Sequence, residues 1–500
     1  MIWTVVRKAI EPAPPGQALR ACMALQRWGL GPAGCLRAAA ALTPMRPAII
    51  ERRGVLSYEA LLNQCDSLAV QLNGLSHRGR LGVLCGQGRE AVVALISALT
   101  VGADAVLLDT RLPDLQLREL MSTQNIGVVL HDAESIRPDL MKSDDAIWMD
   151  VTKLVPLSSP PPPPPIRRGQ IIVLTAGTTG LPKGAIRPAR MSLAAFASPL
   201  SRLPLRAGDR VAIATPLCHT WGHSALHACL ALRATIVFPP HNPADLLDTL
   251  VSHRCTALVT VPVTLLRLLE IPAATTDLRV VAVGGSALPV GLPAAFMDAY
   301  GDILYNVYGS SEASCISIAT PRDLRRAPTT AGRPLPGTRV AVLGQDGIPV
   351  APGEIGEIFA ATGMPFSGYT TGHHGRMTQR SLLATGDLGH FAQDGTLHVD
   401  GREDDMIVSG GQNIYPAPVT RLIEALPQVR EVAVIGVPDK TYGQRFRAYV
   451  ALRPGQVLDA DTVCDHIRRQ LAPQYVPREI TFVAELPRNV AGKIVPRRLR

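Results

Sequence analysis

The sequence predicts an α/β protein in two parts. A large amino-terminal domain of parallel α/β sheets carries a small β-barrel-like section, and a smaller α+β domain follows it. Three observations carry this expectation. From Arg210 to Val307, short β-branched runs alternate with helical stretches, the pattern of a parallel sheet covered on both faces. From about Arg333 the texture changes to short strands separated by turn residues, as in G-R-P-L-P-G-T-R-V-A-V-L and G-E-I-G-E-I-F-A. Beyond Met406 helix and strand patterns resume in an unrelated order, as expected of a separate unit. A chain of 500 residues is also too long for one small core.

The elements follow in order. Residues Ala18–Leu30 have the spacing of an amphipathic helix, read as a packing helix, with a loose membrane contact left open. Arg46–Leu72 reads as strand, turn and helix, and Leu81–Asp109 alternates strand-like and helix-like runs. Pro160–Pro165 is a run of prolines, which predicts an extended surface connector. Strands are expected at Arg210–Thr215, Thr235–Phe238, Thr256–Val261, Val280–Val283 and Ile303–Val307, with a helix at Ala244–His253. In the last unit, helices are expected at Ala417–Leu426 and Asp461–Ala472. Its strands are expected at Val429–Val437, Phe446–Leu452 and Glu479–Val483. The boundary is placed near Gly401–Met406, dividing the chain into residues 1–402 and 403–500.

Composition narrows the function classes. An apolar fraction of 47% with 18% charged residues is that of a globular protein. The formal charge of +9 is scattered and only 4% of residues are aromatic, so nucleic acid is not an expected partner and anionic small molecules are. The nine cysteines contain no C-x-x-C pair and sit mostly in apolar runs, which points to buried thiols in a reducing, cytoplasmic setting rather than to a metal cluster. No apolar run reaches the ~18 residues of a membrane span. The first residues carry charge and proline too early for a secretory leader.

The most informative stretch is Ile171–Gly184, I-I-V-L-T-A-G-T-T-G-L-P-K-G. A buried-strand pattern runs into glycines, threonines and a lysine. Glycines let backbone N–H groups close on an anion, hydroxyls of Thr175, Thr178 and Thr179 add donors, and Lys183 adds charge. The spacing is not that of the Walker loop, because here the lysine follows a proline and precedes a glycine.

This segment resembles the phosphate-loop motif of the adenylate-forming superfamily, which includes acyl-CoA synthetases, luciferases and peptide-synthetase adenylation domains. Ala176 stands where serine is usual. Five further segments match in the same order. P-L-C-H-T-W-G resembles the acyl-site segment and implies that His219 and Trp221 line it, with Cys218 where an aromatic is usual. V-G-G-S-A-L-P implies that Gly284, Gly285 and Ser286 border the nucleotide and the acyl carbonyl. N-V-Y-G-S-S-E implies that Tyr308 stacks on adenine, that Gly309 and Ser311 line the site, and that Glu312 holds magnesium. A-T-G-D-L-G with G-R-E-D-D implies that Asp387 accepts the ribose hydroxyls, with Arg402 as its basic partner and Asp405 as the hinge. L-P-R-N-V-A-G-K-I implies that Lys493 bridges the substrate carboxylate and the α-phosphate, with Val490 and Ala491 where polar residues are usual.

The resemblance therefore implies ATP as nucleotide, Mg2+ as metal and CoA as co-substrate. Gly177, Thr178, Thr179 and Gly180 complete the ATP loop, with Lys493, Glu312 and Thr179 as the catalytic set and Gly410 and Gly411 along the CoA channel. It further implies a mobile carboxy-terminal domain. G-G-Q-N-I-Y-P is similar to the acyl-CoA synthetase version, and the sequence closes after the lysine motif without a carrier domain, so free CoA is the expected acceptor. The chain is most similar to bacterial fatty-acid-CoA ligases, which implies a medium- or long-chain acid. A carrier-protein acceptor and a catalytically weakened ligand-binding relative stay open, the latter because departures cluster at Ala176, Cys218, Thr420, Gln444 and Val490. The oligomeric state stays at monomer or homodimer.

Overall fold

The computed structural model describes residues 11, 13–73, 75, 79–143, 146–153, 163–175, 182–188, 192–240, 242–364, 366–372, 375–378, 381–405, 407–409, 412–439, 442–489, 492–495 and 498–499. Three sheets organise it, of thirteen, six and five strands.

The largest sheet has a parallel centre. Strands Pro47–Glu51, Thr235–Val237, Arg210–Ile213, Ala257–Thr260, Val280–Gly284 and Leu304–Ser310 lie side by side, and each neighbouring pair is parallel. Thr235–Val237, Ala257–Thr260 and Val280–Gly284 are wholly buried, and this is why they read as continuous apolar runs. From Leu304–Ser310 onward the ladder turns antiparallel, through Ser314–Ala319, Thr330–Pro334, Leu397–Arg402, Leu383–Phe391, Gly356–Ala361 and Arg339–Leu343. This is the turn-rich section, and it is hydrogen-bonded to the large sheet.

The second sheet, ordered Ile147–Asp150, Ile126–His131, Arg80–Leu84, Ala105–Leu107 and Gln170–Thr175, is parallel until its edge. There Lys183–Pro188 folds back antiparallel on Gln170–Thr175. One core joins the two large sheets. Apolar residues of helices Pro32–Leu42, Tyr58–Leu72 and Arg89–Thr100 pack with both strand sets. The Arg46–Leu72 segment is a hairpin followed by a helix, since Gly54–Ser57 pairs back on Pro47–Glu51. The Ser57 hydroxyl caps the helix at Ala60 N.

The amino-terminal helix is Pro15–Trp28, packed against Pro32–Leu42, with Leu19 and Met23 facing outward. No helix among the described residues is long and apolar enough to cross a membrane. Pro160–Pro162 lie outside the described residues; Pro163–Pro165 are described, and Pro165 adjoins Gly102.

The five-stranded sheet belongs to the carboxy-terminal part and starts at Ile407. Its long pair Val429–Asp439 and Gly443–Leu452 carries helices Pro416–Glu424 and Ala460–Arg468 over a separate core around Phe446. The second helix ends at Arg468, short of the expected Ala472, because the chain turns at Leu471 toward Pro473.

Phe446 is fully buried in this small core. Phe446→Ala is expected to cost about 3–5 kcal/mol. Because the core is separate, the loss should fall on the carboxy-terminal unit: an added early transition in calorimetry and faster proteolysis after Gly401, with the rest of the chain unchanged.

Candidate active site

Parallel strands deliver their carboxyl ends to one edge of the sheet. Pro216–His219 follows Arg210–Ile213, Val261 follows Ala257–Thr260, Gly284–Ser286 ends Val280–Gly284, and Tyr308–Glu312 ends Leu304–Ser310. In open α/β sheets, ligands bind at this edge.

Glu312 stands in the tight turn between Leu304–Ser310 and Ser314–Ala319. The ladder slips between Tyr308 and Gly309, and a Cβ on Gly309 would lie 2.0 Å from the Ser314 carbonyl oxygen, so only glycine fits. The Ser310 hydroxyl accepts Ala313 N–H at 2.9 Å. Arg187, buried in strand Lys183–Pro188, braces the turn from behind by donating to the Ser311 carbonyl and the Ser314 hydroxyl. Burial lowers its guanidinium to about 10, with Glu312 acting in the opposite direction. Thr220 donates to the Ser311 hydroxyl at 2.9 Å. Glu312 Oε1 accepts the Tyr369 hydroxyl at 2.8 Å, and Lys183 Nζ lies 5.9 Å from the centre of the Tyr369 ring. Tyr369 thereby links the lysine of the phosphate-loop hairpin to Glu312.

Asp387 is buried in the antiparallel section. Tyr308 donates its hydroxyl to Oδ2 at 2.7 Å, and Arg402 donates to Oδ1 at 2.9 Å. Burial raises the Asp387 carboxyl, while Arg402 and the tyrosine bond pull it down. The Tyr308 hydroxyl is driven well up by burial and by the adjoining carboxylate.

Lys493 comes from the other end of the chain. Asn489 N–H donates to Lys493 O at 2.7 Å and Lys493 N–H returns to Asn489 Oδ1 at 2.9 Å, closing a small hairpin. Arg488 ties its base to Gly492 O at 2.6 Å and to Glu431 at 3.0 Å. The tip reaches the large sheet: a Cβ on Gly492 would lie 2.7 Å from Val263 Cγ1 and 3.3 Å from Val261 Cγ2. The Lys493 ammonium is lowered first by burial and then by Arg402, while Asp387 and Glu312 raise it. Among the described residues no carboxylate closes to ion-pair distance, so both acids act on it through space.

Trp221 and His219 open helix Thr220–Ala231. The Trp221 indole donates to Thr260 O at 2.9 Å, and its ring lies 3.5 Å from where a Cβ on Gly284 would sit. His219 is depressed by burial, and Lys493 lowers it further. One turn on, His223 is pushed down to about 3 by burial, and its Nδ1 has no hydrogen-bond partner among the described residues.

The fold thus gathers Glu312, Tyr308, Ser311, Asp387, Arg402 and Lys493, with Gly284, Trp221 and His219 along one wall. Gly285 and Ser286 lie at the exposed strand end beside Val261. Thr175 starts the phosphate-loop hairpin and donates to Lys183 O at 3.3 Å. Gly177, Thr178, Thr179 and Gly180 lie outside the described residues, as do Ala176, Gly410, Gly411, Val490 and Ala491. Asp405 ends the short turn Glu403–Asp405 between the two parts of the chain.

Sequence reading passed over Tyr369 and Arg187. Tyr369 had a signal, an aromatic set between glycine and threonines in a turn-rich stretch; Arg187 had only its charge within an apolar strand pattern. It also passed over the contacts that seat the small domain. Arg421 donates to Asp400 at 3.0 Å, and Asp400 also pairs with His390 at 2.5 Å. Glu424 accepts a backbone N–H of Val290.

The AMP-binding enzyme family profile matches residues 36–370, and that of the AMP-binding enzyme C-terminal domain matches residues 421–493. The chain belongs to the AMP-binding enzymes, on the CoA-ligase branch of the adenylate-forming superfamily. It is 30% identical to an indoleacetate–CoA ligase of Aromatoleum aromaticum, across 91% of this chain and 94% of that protein. It is likewise 30% identical to a 2-succinylbenzoate–CoA ligase of Bacillus thuringiensis, across 93% and 97%. Among solved structures, o-succinylbenzoate CoA synthetase of Bacillus subtilis, in complex with its acyl-adenylate, superposes with a TM-score of 0.82 at 27% identity. That match covers 93% of this chain and 97% of that one.

The Glu424 contact makes the seating of the small domain sensitive to pH. Burial lifts the Glu424 carboxyl to about 7, against the pull of the Val290 bond and Arg421. A raised value stabilises the seated arrangement fully below the ordinary carboxylate range and loses that contribution as pH rises through about 7. Energy transfer between dyes on the two domains should therefore fall across that window, and Glu424→Gln should flatten the profile. A wild-type signal independent of pH over the same range contradicts this reading.

Proposed function

We propose that the protein is an ATP-dependent acyl-CoA synthetase that activates a carboxylic acid as its acyl-AMP and transfers the acyl group to CoA. The observation that carries this reading is the arrival of Lys493, from the tail of the chain, beside Glu312 and Asp387 of the large domain. In the proposed first step the substrate carboxylate attacks the α-phosphorus of ATP and pyrophosphate leaves. In the second the CoA thiolate attacks the acyl carbon and AMP leaves.

The residues have separable tasks. Asp387 has a donor on each oxygen, so one acceptor site per oxygen remains, which suits the paired hydroxyls of a ribose. Because the Tyr308 hydroxyl is committed to Asp387, the ring is held fixed, which suits stacking on adenine. Lys493 supplies a cation with no close counter-ion among the described residues, placed to meet the negative charge that builds where carboxylate and phosphate approach. Glu312 fits the magnesium role. Tyr369 occupies Oε1 and leaves Oε2, and Mg2+ takes few protein oxygens beside water and phosphate. When bound it would offset charge on the polyphosphate.

Gly177, Thr178, Thr179, Gly180 and Lys183 are assigned to the ATP phosphates, and Gly410 and Gly411 to the CoA arm. Residues 1–402 and 403–500 are assigned as the two domains. Rotation about Asp405 would withdraw Lys493 after the first step and admit the thiol.

The substrate we favour carries a ring. Support comes from the named substrates of the two relatives and from Trp221, whose flat indole is anchored on Thr260 rather than free to swing from the path of a long chain. The medium or long acyl chain implied by the sequence is the second reading, supported by the apolar P-L-C-H-T-W-G wall.

A pyrophosphate-release screen over acids of graded length and ring content tests both, with aryl and arylalkyl acids expected to give the highest kcat/KM. Lys493→Ala should lower adenylation by roughly 10²–10³-fold. Unchanged adenylation in that variant overturns the mechanism. Omitting CoA should leave pyrophosphate release but abolish thioester, and transfer to acyl carrier protein in place of CoA would reassign the acceptor.

A further inference from the structure

We propose that Asp109, Cys218 and His219 form a binding site for a soft divalent cation, Zn2+, beside the acyl wall. One ligand atom from each lies within 4.8 Å of the others. Asp109 follows strand Ala105–Leu107 of the six-stranded sheet, while Cys218 and His219 precede helix Thr220–Ala231 of the other. The three thus come from two separate loops, one directly after a strand and one directly before a helix.

The donor set selects the metal. A thiolate, an imidazole and a carboxylate are zinc ligands, whereas Mg2+ and Ca2+ take oxygens. Zinc with bonds of about 2.0–2.3 Å needs its ligands some 3–4 Å apart, a small contraction from the present spacing. His219 Nε2 is buried and has no hydrogen-bond partner among the described residues. Asp109 takes both the Arg111 backbone N–H, at 3.0 Å, and Arg111 Nε, at 3.3 Å, on Oδ1, so the cation would approach Oδ2 and compete with that ion pair.

Asp109 and Cys218 also line a cavity of about 180 Å³, together with Cys85, Gln87 and Arg111. It has room for a water or a small ligand in the fourth position. On binding, the Zn–S bond forms as the Cys218 S–H bond breaks, the proton leaves to solvent, and nothing is oxidised or reduced. Zinc held here engages His219. If the proposed function stands, micromolar Zn2+ should inhibit acid-dependent pyrophosphate release and a chelator should restore it.

The test uses the full-length protein without substrates. Cobalt titration should give a thiolate-to-metal charge-transfer band in the near ultraviolet at one equivalent, which zinc bleaches. Cys218→Ser should abolish the band and weaken zinc, measured against a chromophoric chelator, by at least about tenfold. Asp109→Asn should keep the band but weaken zinc, and Cys22→Ser, at an exposed thiol, should change neither. No band in the wild type, or the same band in Cys218→Ser, overturns the site. Should Cys218→Ser fail to fold, zinc protection of Cys218 from alkylation in the wild type decides instead, and unprotected alkylation overturns it. Cobalt absorption does not depend on turnover, so binding without ligase activity would reject the proposed function and leave the metal site standing.

Discussion

The site is organised around a buried carboxylate that has to be neutralised. Asp387 lies in the antiparallel section with its charge out of water, an arrangement that costs several kcal/mol unless partners compensate. Tyr308 and Arg402 supply that compensation from two directions. Tyr308 comes from the last parallel strand and Arg402 from the end of the antiparallel strand that leads to the carboxy-terminal part. The same two bonds therefore fix the tyrosine ring and contribute to the local field in which Lys493 sits.

The turn at Glu312 is built on a similar principle with different materials. Arg187 is buried behind it and is satisfied by one carbonyl and one hydroxyl, without a close carboxylate among the described residues. Its charge is felt by Glu312 through space, and Tyr369 holds the carboxylate from the front. Buried Arg187 and the more exposed Arg402 and Lys493 thus act on Glu312 and Asp387, partly by contact and partly by field. Such an arrangement responds strongly to an added polyanion, since its charges are only partly screened by water.

Among the described residues, three kinds of contact seat the small domain. They are an ion pair of Arg421 with Asp400, a backbone hydrogen bond from Val290 to Glu424, and the glycine-tipped hairpin of Lys493 against Val261 and Val263. Its own core around Phe446 is separate from the cores of the large sheets. A unit with an independent core can move as a body without unfolding.

Much of this was legible in the sequence. Parallel strands buried on both faces write themselves as β-branched runs, and Ala257–Thr260 and Val280–Gly284 were readable within a residue or two for that reason. Glycine at position 309 and the acids at 312 and 387 were singled out because the segments N-V-Y-G-S-S-E and A-T-G-D-L-G resemble motifs of the superfamily. Helix ends were less so, as the early stop at Arg468 shows, because the turn that follows competes with the apolar spacing. What only tertiary structure decided is which distant charges meet. Nothing in local pattern tells that Tyr369 holds Glu312, that Arg187 lies behind Ser311, or that Asp109 faces Cys218 and His219 across two sheets. Sequence encodes periodicity and residue chemistry locally, whereas electrostatic and ligand contacts act over a few ångströms between segments up to about two hundred residues apart, and only the packing of the sheets brings those segments together.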